Sequence, residues 1–415
     1  MKLIDIRSEG NSLFKIGEEV RAVFFWIFLW VLLEIISPIS VSAQKYDMPN
    51  QGSPYVDLEK VGNGKIVHLP TGLKVDFEGL IDSISGSRVI YVGETHDNLA
   101  AHKVQLKIIR ALEKKFSGHL AVGMEMFRLS AQEAINRWRE GNLQDREFKK
   151  LFYRNWGGDY RLYRNIFSFI REKGLPLLAL KSNVETQAKF KKEGELNPDG
   201  FPELDLKDFY HEAYSRSVFG GHSDHNAKHD PYRTLTLWEE TMAETVSKFL
   251  RNEGHSDWKL IVLAGGFHVQ YGFGIPKRAF RRVPHSYSII LPMVTEIPPE
   301  LSDRRMDVKK VAIPLYSADF VWKLPYEILP DNKVKLGVFL EELEEGILVK
   351  SVKNYGAAAR AGVLKNDLLL QLDGRFIIGV DDLVDRLQEV GVGGKGVFRI
   401  RRAGTEIDVA VVFNK

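Results

Sequence analysis

Acidic and imidazole side chains follow three apolar segments of this chain at the points where those segments end. Glu94 and His96 follow the first segment, Glu125 the second and His268 the third. Carboxylates and imidazoles bind divalent metal ions such as Mn or Co, and they also perform general acid–base catalysis on bound water. A lone Gly-x-x-His match more often marks a capping or core histidine. Two such matches, together with a glutamate at the end of a further apolar segment, indicate one shared catalytic or metal site.

Alternating strands and helices are predicted around these residues. Strands are predicted at 88–92, 120–123, 175–180, 259–264 and 286–291, and helices at 101–116, 130–139, 160–173 and 234–252. Ser130 and Glu133 form a capping-box pattern at one helix start. The alternation favours an α/β fold with a mostly parallel sheet flanked by helices. Such sheets bind ligands outside the carboxyl ends of their strands, so the four site residues are expected to converge there.

Composition narrows the functional classes. The 415 residues are 44% hydrophobic and 27% charged, with a net charge of +3, so nothing indicates a nucleic-acid partner. The chain has no cysteine, which excludes disulfides, thiolate metal sites, cysteine nucleophiles and a lipidated cysteine anchor. Residues 44–80 are rich in turn formers and are expected to be an extended approach to the first domain.

The amino-terminal segment has the pattern of an export signal. Arg21 precedes an apolar run at 22–36, and Val41-Ser42-Ala43 supplies a small-x-small end. Residues 1–43 are therefore predicted to be a signal peptide cleaved after Ala43. The alternative is an uncleaved anchor, although the run is shorter than the roughly 20 apolar residues of a membrane span. Either outcome predicts an exported protein, periplasmic or anchored to the inner membrane.

In combination, five segments resemble the ChaN branch of the TIKI/TraB/erythromycin-esterase-like superfamily. The resemblance covers about 80–292, within a domain expected at 44–323. The segments are Val92-Gly93-Glu94-Thr95-His96-Asp97, Met124-Glu125-Met126-Phe127, Tyr163-Arg164 through Pro176, Trp238 through Ala243, and His268 through Pro276. The resemblance implies a haem-binding domain of iron uptake, with a tyrosine as iron ligand and a homodimer as the binding unit. Other branches of the superfamily are metal-dependent hydrolases.

Several residues follow from this resemblance as candidate haem contacts. Tyr163 matches the family's Tyr-Arg helix start and is the first candidate for the iron ligand, against the alternative of a buried core tyrosine. His222 and His268 are further candidates, although His222 lies in a histidine-rich tract that could be a solvated loop. Arg278 belongs to a basic cluster that could pair with haem propionates or form a solvated helix face.

The segment 334–415, reached through a linker at 324–333, resembles a PDZ domain of the bacterial protease-associated kind. Leu336-Gly337-Val338 matches the carboxylate-binding loop, and Leu383 and Leu387 are expected to line the side-chain pocket. The resemblance implies that the domain binds the C-terminal peptide of an envelope protein by strand addition. The alternative is a PDZ fold that only packs against its neighbour.

These observations favour an exported haem-binding protein of the bacterial envelope that recruits a partner through its PDZ domain. The alternative is a metal-dependent peptidase or esterase in which Glu94, His96, Glu125 and His268 hold a water-activating metal. In that case the PDZ domain would present a substrate or partner. A third hypothesis, an envelope scaffold with a decayed site, is disfavoured because all four residues are present.

Overall fold

The computed structural model describes residues 55–193, 203–219, 230–294, 297–299, 301, 311, 313–329, 334–377 and 379–413. The predicted signal peptide at 1–43 and the candidate His222 lie outside these residues. Within the described ranges, the chain forms an eight-stranded mixed sheet and a separate six-stranded sheet.

The larger sheet has the order β2-β1-β8-β7-β3-β6-β4-β5. Its six strands from β8 to β5 are parallel, and β1 and β2 add antiparallel at one edge. This arrangement confirms the predicted mostly parallel sheet. The strands are β1 (Ile66–His68), β2 (Leu73–Val75), β3 (Val89–Glu94), β4 (Leu120–Arg128), β5 (Leu177–Lys181), β6 (Lys259–Gly265), β7 (Tyr287–Met293) and β8 (Phe320–Lys323).

Helices cover this sheet. They are α1 (Phe77–Ile84), α2 (Leu99–Lys115), α3 (Gln132–Arg139), α4 (Asp145–Asn155), α5 (Tyr160–Lys173), α6 (Val184–Glu193), α7 (Phe209–Phe219), α8 (Pro231–Arg251) and α9 (Ile275–Arg282). Residues of β3 are buried along its whole length, as expected for a strand with helices on both sides. Apolar helix stripes therefore hold the strand ends, and the polar residues that follow them, in fixed positions.

Two local predictions are wrong. Residues 44–80 are not only an extended approach, because β1 and β2 form a hairpin and β1 pairs with β8 from far along the chain. The Ser130–Glu133 capping box is absent, because a short 3-10 turn occupies 129–131 and α3 begins after Ala131 without a side-chain cap. Long-range pairing and a tightened first turn were not visible in the local sequence pattern.

The smaller sheet is antiparallel, with the order β14-β13-β11-β10-β9, and β12 pairs with β11. Its elements are β9 (Val338–Leu343), β10 (Gly346–Val352), α10 (Ala357–Arg360), β11 (Leu368–Leu372), β12 (Arg375–Phe376), α11 (Val380–Val390), β13 (Lys395–Arg402) and β14 (Thr405–Val412). A separate apolar core fills this unit. Strand β9 lies at the sheet edge, where one row of its backbone groups has no strand partner.

Candidate functional site

The carboxyl ends of three neighbouring parallel strands, β3, β6 and β4, bring the predicted acid and imidazole residues together. Glu94 ends β3, Glu125 lies near the end of β4, and His268 follows β6 by three residues. Strand β6 lies between β3 and β4. The convergence expected from the sequence therefore occurs, and His96 joins it from the loop after β3.

Glu94 is a buried carboxylate that holds several donors. Its Oε1 accepts hydrogen bonds from Tyr163 Oη at 2.6 Å and from His96 Nδ1 at 2.7 Å. Its Oε2 accepts a hydrogen bond from Gln105 Nε2 at 2.7 Å and lies 3.7 Å from His102 Nδ1. Burial acts to raise the pKa of Glu94, but its donors and the nearby imidazoles lower it below the usual value. Glu94 is thus held ionised, and it fixes the ring of His96.

His96 is the member of this group that solvent can reach. Its side chain is 41% exposed, and its ring packs edge-on against Trp156. Burial acts to lower the pKa of His96, but the hydrogen bond and charge of Glu94 raise it above the usual value. A Cβ on Gly265 would lie 2.9 Å from His96 Nε2 and 3.5 Å from Glu125 Oε2. Because Gly265 has no side chain, both His96 and Glu125 can lie close to its backbone.

His268 lies between two buried carboxylates. Its Nε2 is 3.4 Å from Oε1 of Glu125, and its Nδ1 is 3.2 Å from Oε1 of Glu239 on α8. Although burial opposes the charge, Glu125 and Glu239 raise the pKa of His268 to about 10. Burial also opposes ionisation of Glu125, but His268, His96 and Lys181 hold its pKa well below the usual range. The group is therefore an imidazolium between two carboxylates at neutral pH.

Behind His268, a second layer of buried charges continues into α7, α8 and α9. Glu239 Oε2 lies 3.2 Å from Nε2 of His211 and 3.5 Å from Nη1 of Arg278. Arg278 also contacts Glu240, at 3.2 Å. The sequence analysis missed Glu239, Glu240 and His211. The sequence did contain a signal: two adjacent acids, Glu239 and Glu240, lie on an otherwise apolar helix face. Carboxylates on such a face are rarely buried unless they have charged partners, so partners could have been expected.

Two tryptophans and a lysine lie beside the group that contains His96. Lys181 Nζ lies 4.6 Å from the ring centre of Trp156 and 4.8 Å from that of Trp238. The same ammonium is 3.7 Å from Glu125 Oε1. Burial lowers the pKa of Lys181 although Glu125 favours its charge. This part of the site thus combines two aromatic rings with a buried cation that pairs with Glu125.

The described candidates taken from the family resemblance, Tyr163, His268 and Arg278, are all buried. Tyr163 is fully buried, and burial together with the charge of Glu94 raises the pKa of its phenol well above 10.0. Arg278 is only 2% exposed and pairs with Glu239 and Glu240 instead of lying on a solvated helix face. Among the described residues, no group of three or more histidine, aspartate or glutamate side chains could hold a metal ion.

The buried charges predict a stability optimum in mildly acidic solution. His268 has a raised pKa, so its contribution is complete below its ordinary pKa of 6.5 and is lost as pH rises towards about 10. Glu239 has a pKa lowered to about 2, so its contribution is present above 4.5 and is lost as pH falls towards 2. Urea unfolding from pH 3 to 10 should show both losses. An alkaline limb as steep in Glu239→Gln as in the wild type would contradict this assignment.

In the smaller unit, Leu336 and Gly337 precede the edge strand β9, which begins at Val338, and α11 lies beside that strand. Gly337 has a φ of +78°, and a Cβ there would lie 2.9 Å from Gly356 Cα, so the turn requires glycine. Leu383 and Leu387 of α11 are buried in the core together with Leu336. Val338 and Leu340 of β9 are partly buried and pack against that core.

Comparisons with known families divide the chain in the same way. Residues 80–279 match the family described as haem-binding uptake, Tiki superfamily, ChaN. Residues 334–412 match the PDZ domain family. The ChaN-like match covers the strands and loops that build the site around Glu94 and His268, and the PDZ match covers the six-stranded sheet.

Individual proteins resemble parts of the chain. A Campylobacter jejuni ChaN structure with cofacial haem is 17% identical, with a TM-score of 0.49, over 62% of this chain and 95% of that chain. A serine endoprotease from Yersinia pestis is 28% identical, with a TM-score of 0.18, over 20% of this chain and 29% of that chain. The Arabidopsis thaliana chloroplastic membrane metalloprotease ARASP is 34% identical over 98 residues. Those residues are 22% of this chain and 21% of that relative, so this chain matches about a fifth of the relative's length.

Proposed function

We propose that this protein binds haem at the carboxyl edge of its larger sheet, because residues 80–279 match the ChaN haem-binding uptake family of the Tiki superfamily. Residues 334–412 match the PDZ domain family. We further propose that its PDZ domain binds the C-terminal peptide of a partner protein. The observation that carries the haem proposal is His96, a half-exposed imidazole beside Trp156 whose Nδ1 is held by the buried Glu94.

The donor set at this edge fits haem. A carboxylate that holds one imidazole nitrogen leaves the other oriented for a metal, as is usual for ligating histidines. Trp156 and Trp238 offer aromatic surfaces, and Lys181 offers a cation for a carboxylate. Bound haem would supply an iron, and His96 would be the side chain that holds it.

Tyr163 has a different part in this proposal. Its phenol donates to Glu94, it is fully buried, and its raised pKa opposes the phenolate that an iron ligand would have to be. We therefore assign the ligand role to His96 and a positioning role to Tyr163, which holds Glu94 in place. This assignment departs from the tyrosine ligand that the family resemblance implies.

A titration of haemin into the full chain, followed by visible absorption, tests the proposal. We expect saturable binding with a spectrum of histidine-ligated iron. Iron-free protoporphyrin IX is the matched control, because it has the same ring and carboxylates without the metal. A linear haemin signal without saturation would refute haem binding, and equal affinity for protoporphyrin would refute iron ligation.

The hydrolase alternative needs different chemistry from the same residues. A divalent metal bound to His268 would have to displace the proton that Glu125 and Glu239 hold there. Assays for peptide and ester hydrolysis with added Mn²⁺ or Co²⁺ are therefore the second measurement. Metal-dependent turnover lost in both His96→Ala and His268→Ala would favour the hydrolase over haem capture.

Export beyond the inner membrane is a separate proposal, supported by the basic, apolar and small-residue pattern that ends at Ala43. From Tyr55 onward, no helix in the described part of the chain is long and apolar enough to cross a membrane. Fractionation of cells expressing the chain with a carboxyl-terminal tag tests this proposal. A tagged product confined to the cytoplasm would contradict it.

A further inference from the structure

The proposed peptide site of the PDZ domain, between β9 and α11, meets the ChaN-like domain at one end. A C-terminal peptide captured at Leu336-Gly337 must extend along the free edge of β9, from Val338 towards Leu343. Val338, Leu340 and Glu342 alternate along one face of this strand. Val338 and Leu340 pack against the domain core, so Glu342 stands at the end of the groove farthest from the carboxylate loop.

Glu342 reaches across this end of the groove. Its Oε1 accepts a hydrogen bond from the backbone nitrogen of Val380, the first residue of α11, at 2.7 Å. The side chain therefore joins β9 to α11, which are the two walls between which a bound peptide lies. A peptide longer than about four residues, at 3.3 Å per residue, has to pass this bridge.

The other oxygen of Glu342 is paired with cations from the neighbouring domain. Arg146 Nη2 lies 3.5 Å and Lys150 Nζ 3.6 Å from Glu342 Oε2, and both cations belong to α4. Lys149 of the same helix forms an ion pair with Asp385 of α11. A Cβ on Gly379 would collide with Arg146 Nη2, so glycine allows this approach.

The PDZ side of this contact is acidic. Glu342, Asp381 and Asp385 face α4, and a cavity of about 630 Å³ separates parts of the two surfaces. Other acids nearby already have partners within the PDZ domain, since Glu341 pairs with Lys350 and Asp382 with Arg386. The end of the groove is therefore an anionic position, and it is filled by lysine and arginine side chains of the same chain.

We propose that the partner peptide carries a lysine or arginine about four residues before its carboxyl end, and that this residue replaces Arg146 and Lys150 at Glu342. The proposal rests on the proposed peptide binding by the PDZ domain and adds its specificity. The cations of α4 occupy the place of the peptide's basic residue. Peptide binding and the α4 contact then exclude each other at Glu342.

Fluorescent decapeptides that end in a free-carboxylate valine, titrated into the full chain, test this specificity. The fourth to sixth residues from the end are all Lys, all Gln or all Glu. We expect the Lys peptide to bind about two- to fivefold more tightly than the Gln peptide, as for a partly exposed ion pair, and the Glu peptide to bind most weakly. Equal affinities, or tightest binding of the Glu peptide, would overturn the proposal.

Variants test whether Glu342 is responsible for the preference for Lys. Glu342→Gln should abolish the preference for Lys, whereas Glu341→Gln, which removes the same charge from the other face of β9, should keep it. The double variant Arg146→Ala/Lys150→Ala should bind the Lys and Gln peptides more tightly, because the competing cations are gone. A preference that survives Glu342→Gln would overturn the role of Glu342.

An amide-ended copy of the Lys peptide distinguishes the two levels of the hypothesis. If neither the acid-ended nor the amide-ended peptides bind, PDZ peptide binding itself is refuted, and the specificity falls with it. If the acid-ended peptides bind irrespective of upstream charge, peptide binding stands and only the basic preference is refuted. Loss of binding on amidation, together with the Lys preference, supports both.

Discussion

His96→Ala is expected to abolish saturable haemin binding, whereas Tyr163→Phe should weaken it about 10- to 100-fold without changing the type of spectrum. His96 presents the half-exposed imidazole, and its loss removes the iron ligand. Tyr163 is buried and acts on His96 through Glu94, so its loss should disturb the ligand's orientation and leave the ligand itself in place. Visible absorption during haemin titration measures both effects.

His119→Ala is the matched control for this experiment. His119 has a side chain that is 51% exposed, and it pairs with Asp257 away from the site. Its replacement should leave haemin affinity unchanged. If instead Tyr163→Phe eliminates binding and the wild-type spectrum is that of a phenolate, the iron ligand is Tyr163. The loop that carries His96 would then have to move to expose it.

Glu239→Gln is expected to destabilise the protein by about 3–5 kcal/mol, because it removes one partner from a buried cluster of charges. Glu239 is fully buried and contacts His268, His211 and Arg278. The amide keeps the shape of the side chain but leaves two or three buried donors without a compensating charge. Urea unfolding followed by circular dichroism would measure the change in free energy.

Glu244 lies further along the same helix, α8, and its replacement in Glu244→Gln provides the control. Glu244 is 30% exposed and pairs with Arg251 and Arg282, so its loss should cost about 0–1 kcal/mol. Equal effects of Glu239→Gln and Glu244→Gln would contradict the assignment of Glu239 as the centre of the buried cluster. The haemin affinity of Glu239→Gln should fall less than that of His96→Ala.

Much of the architecture around the site was already present in local patterns of the sequence. Apolar runs without polar alternation predicted strands covered on both faces, and the polar residues that follow them predicted the site edge. Glu94, His96, Glu125 and His268 were identified because parallel strands present their carboxyl ends at one edge. The PDZ unit was identified because its turn glycines and short strands have a characteristic order.

Other features depend on contacts between distant segments. The hairpin of β1 and β2 was missed, because it requires pairing with β8. The helix α4 was also missed, although Phe148, Leu151 and Phe152 recur in it at helical spacing. Glu239 and His211 became part of the site only because α7 and α8 pack behind His268.

The sequence by itself determined which acids and imidazoles this protein has at its strand ends and that a PDZ-like unit follows them. Only the tertiary structure decided which side chains are reachable, since burial depends on every element that packs nearby. It places Tyr163 beneath Glu94 and leaves His96 half exposed. It also brings Arg146 to Glu342, 196 residues away in the chain, because ion pairing acts through space and local sequence patterns do not record it.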